Sequence, residues 1–277
     1  MSEEENEKAG GIIKQSIDSV TALTKAVPIY EDAVQPLAKE TGKALGTIGK
    51  AVNVALAPIS LVVWGYDQMQ NFLENRVAEK LEKVPEDRII TPPPNVAGPA
   101  IEALKFTGND ETLQDMFANL IANSLDSKTV LEAHPAFVDI IKSLSPDEGL
   151  ILKAFSSAQQ FPMVDVKLKN KKDQGFQVLH RNRSRIGIIA NCKHQALTSN
   201  YLDNLCRLGI LEIPSGRKIN NPKEYEAITN DPGIAQLKKQ FDGNETHSID
   251  FEQKFIAVTG IGRQFINACI IDKRARD

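Results

Sequence analysis

The stretch GKALGTIGKA, residues 42–51, contains the first residues that could bind a phosphate group. A P-loop requires Gly, four residues and then Gly-Lys-Ser/Thr after a strand, because its backbone N–H groups surround the phosphates and its hydroxyl binds Mg²⁺. Ala44 occupies the position of the first Gly relative to Gly49 and Lys50, and Ala51 replaces the hydroxyl residue. The sequence therefore predicts no P-loop at this position.

Two other sets of residues could belong to a dinucleotide-binding motif or a metal site, but neither has the residue spacing that such a site requires. After Gly260 and Gly262 the third position of a dinucleotide fingerprint is Phe265, and no βαβ pattern surrounds it, so a strand-to-helix turn is the simpler interpretation. Cys192 and His194 could supply two metal ligands, but a closed site needs four, and no second pair accompanies them. We predict no catalytic residue, cofactor or metal ligand, and an enzyme with an unrecognised site stays an open alternative.

A concentrated basic run, HRNRSR at residues 180–185, could contact phosphate groups with an affinity that falls steeply with salt. The helix that would face nucleic acid, ALTSNYLDNLCRL, adds only Arg207 as a cation, and Asp203 opposes it. A DNA-reading helix usually carries more Arg, Lys, Asn or Gln, so protein or intramolecular contact is the favoured interpretation and nucleic acid the alternative. The candidate basic patch consists of Arg181, Arg183, Arg185 and Arg207.

A long helical pattern between residues 30 and 66 must position any contact surface in the first half of the chain. Apolar residues recur there every three or four positions from Leu37 to Val63, and small residues lie beside that stripe. Each glycine in a helix interior costs about 1 kcal/mol relative to Ala, so packing against this chain, a second copy or lipid must compensate. The predicted close-contact face consists of Gly42, Gly46, Gly49, Ala51 and Ala55.

The sixteen residues between Lys50 and Asp67 carry no charge. A membrane span needs about 20 apolar residues, and this run also contains Asn53 and Pro58. We therefore interpret residues 51–66 as a buried core helix and keep a membrane-inserting hairpin as the alternative, since small residues also suit helix packing in lipid.

Composition and charge indicate a globular protein with two electrically different halves. The chain has 277 residues, 42% hydrophobic and 25% charged, and its three cysteines are too few for a disulfide framework. Residues 1–144 contain 13 basic and 21 acidic side chains, whereas residues 145–277 contain 20 and 15. The opening MSEEENEKAGG is acidic where a secretory leader would be basic, so we expect a cytoplasmic protein, with peripheral contact to the inner membrane as an extension.

These patterns predict a mainly α fold with two domains. Residues 1–27 form an acidic tail and a short amphipathic helix, and residues 28–144 form a helical domain that includes a proline-rich connector at residues 85–99. Residues 145–277 form a small winged-helix-like α+β domain. The closing DKRARD, residues 272–277, is interpreted as a solvated tail.

The winged-helix prediction depends on the order of elements after residue 145. Ser145 and Pro146 form a helix start, with Glu148 three residues after the capping Ser. A strand VDVKLKN follows, then a helix that ends at Gly209, a short strand at residues 210–213, a polar insertion and a returning strand. The insertion is long enough for an additional helix at residues 232–241.

Several segments of the sequence resemble those of the bacterial abortive-infection alpha family. They include VPEDRIITPPPNVAGPAIEAL, LQDMFANLIANSLDS and AHPAFVDIIKSLSPDE, and the likeness covers nearly the whole chain from about residue 30. The resemblance implies a role in bacterial defence against phage, where infection is met by arrest or death of the cell. It implies no catalytic residues.

Three hypotheses about function remain open at this point. The first is a defence protein that contacts a protein partner, a second copy of itself or, on activation, a membrane surface through its Gly-rich helix. The second is a nucleic-acid-binding or regulatory winged-helix module. The third is an enzyme with an unrecognised site.

Overall fold

The computed structural model describes residues 71–107 and 110–275, which contain helices and one antiparallel sheet. This part of the chain is therefore a mixed α+β structure and not clearly the mainly α fold that the sequence predicted. The uncharged run 51–66 and the predicted contact face lie outside the described residues. That face comprises Gly42, Gly46, Gly49, Ala51 and Ala55.

The described chain is helical up to Phe155, and strands and helices both follow from Gln160 onward. The helices are α1 Pro94–Thr107, α2 Glu111–Ser124, α3 Ala136–Lys142, α4 Pro146–Phe155, α5 Ile186–Ile189, α6 Thr198–Arg207, α7 Lys223–Thr229, α8 Pro232–Gln240 and α9 Gly260–Phe265. The strands are β1 Gln160–Asn170, β2 Phe176–Arg183, β3 Leu211–Glu212 and β4 His247–Val258. Helical turns of other types lie at Phe72–Val77 (π, continuing as α-helical Ala78–Lys80), Glu86–Arg88, Val130–Glu132, Gln195–Leu197, Ile266–Ile270 (π) and Lys273–Ala275.

The proline-rich connector is shorter than the predicted residues 85–99, because α1 already begins at Pro94. A proline at the first helical position loses no hydrogen bond, since that N–H would have no partner within the helix. Pro99 lies inside the same helix. Three consecutive prolines thus end an extended segment at residue 93 and start a helix.

Local capping signals are placed where the sequence predicted them. The Ser145 hydroxyl accepts a hydrogen bond from the Glu148 N–H, and the Glu148 carboxylate accepts one from the Ser145 N–H at 2.6 Å. This reciprocal capping box confirms the predicted start of α4. Gly209, predicted to end α6 in a left-handed conformation, has φ 73°.

The sheet has the strand order β2-β1-β4-β3, with every pair antiparallel. β1 and β4 pair along their lengths from Gln160 opposite Ala257 to Asn170 opposite His247. β3 has two residues, fewer than the predicted 210–213. Pro214 follows soon after and cannot donate to a strand ladder, which explains the early end.

One core of buried apolar side chains runs from Phe72 to Cys269 and includes residues from the helices and the sheet. The apolar side of α2 lies in this core, because Leu113, Met116, Phe117, Leu120 and Ile121 are all buried. The division of the chain at residue 145 stays a prediction. A second, smaller core joins the insertion between β3 and β4 to the sheet and consists of Val164, Val166, Tyr225, Ile228 and Ile234.

Two buried asparagines of α2 bind the π-helical turn Ile266–Ile270. The Asn123 amide donates to the Ala268 carbonyl at 3.0 Å, and the Asn119 amide donates to the Cys269 carbonyl at 3.1 Å. Carbonyl groups at a helix end lack partners within the helix, so these amides satisfy them. Neither residue was predicted from the sequence, although polar residues four apart within an apolar stripe are a signal for such a role.

Candidate functional site

The basic run lies at the end of β2, where the strand is interrupted by a bulge. The register with β1 shifts between Val164 and Val166, and Asn182 on β2 is buried with φ 54°. Positive φ is rare for residues other than glycine, and Asn tolerates it better than most. The bulge turns Asn182 into the molecule, while its neighbour Arg181 is exposed.

A network of polar side chains holds this bulge. The Asp165 carboxylate accepts hydrogen bonds from the Asn182 N–H at 2.8 Å and from the Lys254 Nζ at 2.7 Å. Lys254 also donates to the Asn182 side-chain oxygen, and the Asn182 amide donates to Asp203 on α6. Asp203, which appeared in the sequence as a charge opposing Arg207, therefore helps to fix the strand that carries the basic run.

The four arginines of the predicted basic patch have different surroundings. Arg183 forms an ion pair of 2.7 Å with Asp231, which also caps α8 by accepting from the Gly233 N–H. Arg207 donates to the Asn204 side chain of its own helix. Arg181 and Arg185 are exposed, and their side chains have no partner among the described residues.

Three of these arginines lie close together and the fourth lies apart. The hydroxyl of Ser199, in the first turn of α6, donates to the Arg181 carbonyl at 3.1 Å. Arg207 is the last residue of α6, eight positions later, which corresponds to about 12 Å along a helix axis. The basic patch is therefore a cluster of Arg181, Arg183 and Arg185, with Arg207 at the opposite end of the helix.

A pocket of about 370 Å³ lies beside this cluster. One wall is formed by the end of β2, α5 and the start of α6, and the other by the junction of α7 and α8. Its lining includes Arg183, Arg185, Gln195, Ser199, Ile228 and Asp231. The insertion between β3 and β4 is thus part of the pocket.

The Cys192 and His194 pair belongs to a structural turn. The Asp147 carboxylate accepts from the N–H groups of Lys193 and His194, at 2.8 Å each, and from the Tyr201 hydroxyl at 3.0 Å. Burial raises the pKa of Asp147, but these hydrogen bonds outweigh it and lower the pKa overall.

The hydroxyl of Tyr201 and the thiol of Cys192, both beside Asp147, have raised pKa values. Burial, followed by the hydrogen bond to Asp147, raises the pKa of Tyr201 to about 12. Burial also raises the pKa of the Cys192 thiol to about 11, and its Sγ donates to the Asp147 carbonyl. A protonated thiol is a poor nucleophile and metal ligand. Within residues 71–107 and 110–275, no three His, Cys, Asp or Glu side chains are grouped so that they could hold a metal ion.

The described part of the closing basic segment, residues 272–275, is held to the protein by ion pairs and by the buried Lys273, which corrects its interpretation as a solvated tail. Lys273 is 1% exposed, and its Nζ lies 2.8 Å from the Asp126 carboxylate, which is fully buried. Lys273 also donates to Thr129, and Arg88 donates to Asp126 through two nitrogens. Burial raises the pKa of Asp126, but the hydrogen bonds from Arg88 and Lys273 outweigh it and bring the pKa to about 2.

The residues on either side of Lys273 bind the first described helical turns. Asp272 accepts from Lys80 at 2.8 Å, and Lys80 also pairs with Asp115 at 2.6 Å. Arg274 pairs with Glu79 and Asp272. Mainly the hydrogen bonds from Arg274 hold the pKa of Asp272 well below its usual range. Partners that lie far away in the sequence therefore surround this segment.

Among the helices that the structure describes, none combines the length and apolar character needed to cross a bilayer. The predicted membrane-inserting alternative, residues 51–66, lies outside that part of the chain. It stays a prediction.

Comparison with known proteins relates most of the chain to one family. The family model described as "Abortive infection alpha" matches residues 65–269. None of the curated proteins matches the chain. A solved structure, an uncharacterized protein from the marine bacterium Alcanivorax borkumensis SK2, is similar over 50% of this chain and 92% of its own, with 17% identity and a TM-score of 0.33.

Proposed function

Because this chain belongs to the abortive infection alpha family, we propose that it acts in bacterial defence against phage by arresting or killing the infected cell. The match over residues 65–269 is the observation that carries the proposal. It extends through the sheet, so the match includes the described part of the chain up to residue 269.

The proposed mode of action is contact through the Gly-rich helix, and the support for it comes from the sequence. Gly42, Gly46 and Gly49 recur at helical spacing beside an apolar stripe, which suits the close approach of another helix. The partner would be another protein or a second copy, or the inner membrane surface on activation. We propose no catalytic step.

Substitution of Gly46 tests this mode of action. Leu at this position would add a side chain where a neighbouring backbone is expected, and such overpacking costs about 1–3 kcal/mol. If the partner is met only on activation, Gly46→Leu should leave the melting temperature of the purified protein unchanged and abolish phage protection.

The control is Gly10→Leu, which changes the predicted acidic tail at the start of the chain and should preserve both properties. Full protection by folded Gly46→Leu would overturn the Gly-rich helix as the active surface. A large loss of melting temperature would instead show that the helix packs within the protein.

A second candidate function, a winged-helix module that contacts nucleic acid or regulates a partner, is favoured by the strand order. In a winged helix the strand after the first helix pairs with the last strand, which also pairs with the strand after the recognition helix. Here β1 follows α4, β3 follows α6, and β4 pairs with both. β2 and the α7–α8 insertion would be additions to that plan.

The presumed recognition helix α6 exposes Asn200, Asp203 and Arg207. A surface with one cation and one anion suits a partner other than DNA. Binding of nucleic acid by this module would therefore depend on the exposed Arg181 and Arg185. Retention on immobilised DNA at increasing salt tests it, since binding to phosphates weakens steeply as salt rises. Retention that survives physiological salt would favour this candidate, and none at low salt would remove it.

A further inference from the structure

The pocket beside the basic cluster is built from two parts of the chain that meet with fixed contacts. The ion pair between Arg183 and Asp231 joins the end of β2 to the start of α8. Ile228 contributes to the pocket lining and also to the small core that holds the insertion on the sheet. The pocket therefore has a supported second wall and is more than a gap between loops.

Most of the side-chain groups left to bind a ligand in this pocket are N–H donors, and the acceptor beside them is Oδ2 of Asp231. The hydroxyls of Ser184, Thr198 and Ser199 each donate to a carbonyl of the protein. The side chains of Arg185 and Gln195, in contrast, form no hydrogen bond or ion pair with other described residues. Arg183 uses one nitrogen on Asp231, which leaves other guanidinium donors available.

The charge of the pocket is positive once its internal pair is counted. Asp231 is the acidic residue in the lining, and its Oδ1 accepts from both Arg183 and the Gly233 N–H. It therefore neutralises Arg183 and holds that guanidinium in place, while Arg185 supplies an uncompensated cation. Guanidinium groups present several donors in one plane, which matches the oxygens of a phosphate group.

We propose that this pocket binds a phosphate ester, with Arg185 as the principal cation and Gln195 and Arg183 as further donors. The volume of about 370 Å³ lies within the usual size of small-ligand sites, which begin at about 300 Å³. Ile188 and Ile228 line the pocket and offer apolar contact to the group that carries the phosphate. That group is either a free mononucleotide or a nucleotide of a nucleic-acid strand. The inference does not depend on the role in phage defence.

Calorimetric titration of the full-length protein at low salt tests the site with four probes. The probes are inorganic phosphate, adenosine monophosphate, adenosine without phosphate, and a twelve-nucleotide single-stranded DNA. Arg185→Gln should weaken binding of the phosphate-bearing probes by about tenfold or more, because it removes a charge-assisted hydrogen bond. Arg185→Lys keeps the charge without the planar donors and should fall between. Arg207→Gln, at the far end of α6, is the matched control and should bind as the unchanged protein does.

The probes also separate the two sources of the phosphate. Saturable binding of adenosine monophosphate, with none of adenosine, supports a free nucleotide; binding of DNA alone, weakened by Arg185→Gln, supports a nucleic-acid strand. The proposal is overturned if no phosphate-bearing probe binds, if adenosine binds as well as its monophosphate, or if Arg207→Gln weakens binding as much as Arg185→Gln. Unchanged unfolding midpoints of the variants confirm that each remains folded.

Discussion

Two basic segments of this molecule differ in how far their basic side chains are exposed to solvent. DKRA, residues 272–275, contains a lysine that is 1% exposed, whereas HRNRSR, residues 180–185, keeps Arg181 and Arg185 at the surface. Lys273 pairs with Asp126, which lies 147 positions earlier in the sequence. The residues next to Lys273 do not predict this partner. Basic residues in a sequence thus indicate charge but not exposure, since distant carboxylates decide which cations are buried.

The buried ion pair Lys273–Asp126 and the partly exposed ion pair Arg183–Asp231 should also differ in how much they stabilise the folded protein. A buried ion pair is costly to break by removing one partner, because the other charge stays buried without compensation. A partly exposed pair is screened by water and contributes about 1 kcal/mol or less. Substitutions that remove one partner of each pair test this difference, and the buried pair should show the largest effect.

Lys273→Met should destabilise the protein by about 3 kcal/mol, the lower end of the range for buried pairs. Asp126 keeps its hydrogen bonds from Arg88 but loses the second cation, and Thr129 loses a donor. The free energy of unfolding from urea titration measures the effect. Arg181→Gln is the control and should change stability by less than about 0.5 kcal/mol, as at most surface positions. A cost below about 1 kcal/mol for Lys273→Met would contradict the expected difference between buried and exposed pairs.

Acid should remove part of the stability that the buried cluster provides. The pKa of Asp126 in the folded protein is about 2, below its ordinary value of 3.8. A carboxyl group with a lowered folded pKa stabilises the protein above its unfolded pKa, and this contribution is lost as pH falls through the folded pKa. The loss attributable to Asp126 should therefore occur between about pH 4 and pH 2.

Asp126→Asn provides the matched variant for the acid prediction. Its unfolding free energy should be lower near neutral pH and should fall less steeply below about pH 4, because one titrating group has been removed. Parallel pH curves for the two proteins would show that Asp126 does not titrate as described. Asp147 and Asp272, whose pKa values are also lowered, contribute an acid dependence common to both proteins.

Features that depend on neighbouring residues could be predicted from the sequence. The capping box at Ser145, the left-handed Gly209 and the helix Pro232–Gln240 all follow from signals within a few positions. The alternation in VDVKLKN likewise predicted β1. In each case the physical cause lies within a turn or two of chain.

Features that depend on distant residues could not be predicted in the same way. The pocket requires Arg183 to meet Asp231 across 48 positions, and the packing of the closing segment requires partners from two earlier segments, residues 79–80 and Asp126. The bulge at Asn182 arises from contacts with Asp165 and Lys254 on neighbouring strands. Periodicity shows which side of an element is apolar, but it does not specify which polar group it will meet.

Arg183→Gln should have a smaller effect on stability than Lys273→Met, about 1 kcal/mol or less. Its pair with Asp231 is partly open to solvent, with side chains 36% and 23% exposed. Added salt should reduce the difference between Arg183→Gln and the unchanged protein, since exposed charges are screened. Urea titrations at low and high salt measure this. If the stability difference between Arg183→Gln and the unchanged protein stays the same in high salt, the Arg183–Asp231 pair behaves as a buried pair, like Lys273–Asp126.

The exposed arginines should affect binding while leaving stability almost unchanged. For nucleic acid we expect weak, sequence-independent affinity at most, because Arg181 and Arg185 can reach phosphates whereas α6 offers few base-reading side chains. Replacing Arg181, Arg183 and Arg185 together by Gln should remove this binding. It should also reduce the slope of log affinity against log salt by up to about 2, roughly one for each of Arg181 and Arg185, because Asp231 already neutralises Arg183.

The control for that experiment is Arg207→Gln, which removes one cation from the opposite end of α6. It should leave the salt slope unchanged if Arg181, Arg183 and Arg185 act as one cluster. A slope that falls equally for any arginine removed would indicate diffuse attraction to the whole +5 half of the chain, counted over residues 145–277. Tight, sequence-specific binding at physiological salt would contradict the prediction more strongly, because it would require base contacts from α6 that its exposed Asn200, Asp203 and Arg207 do not suggest.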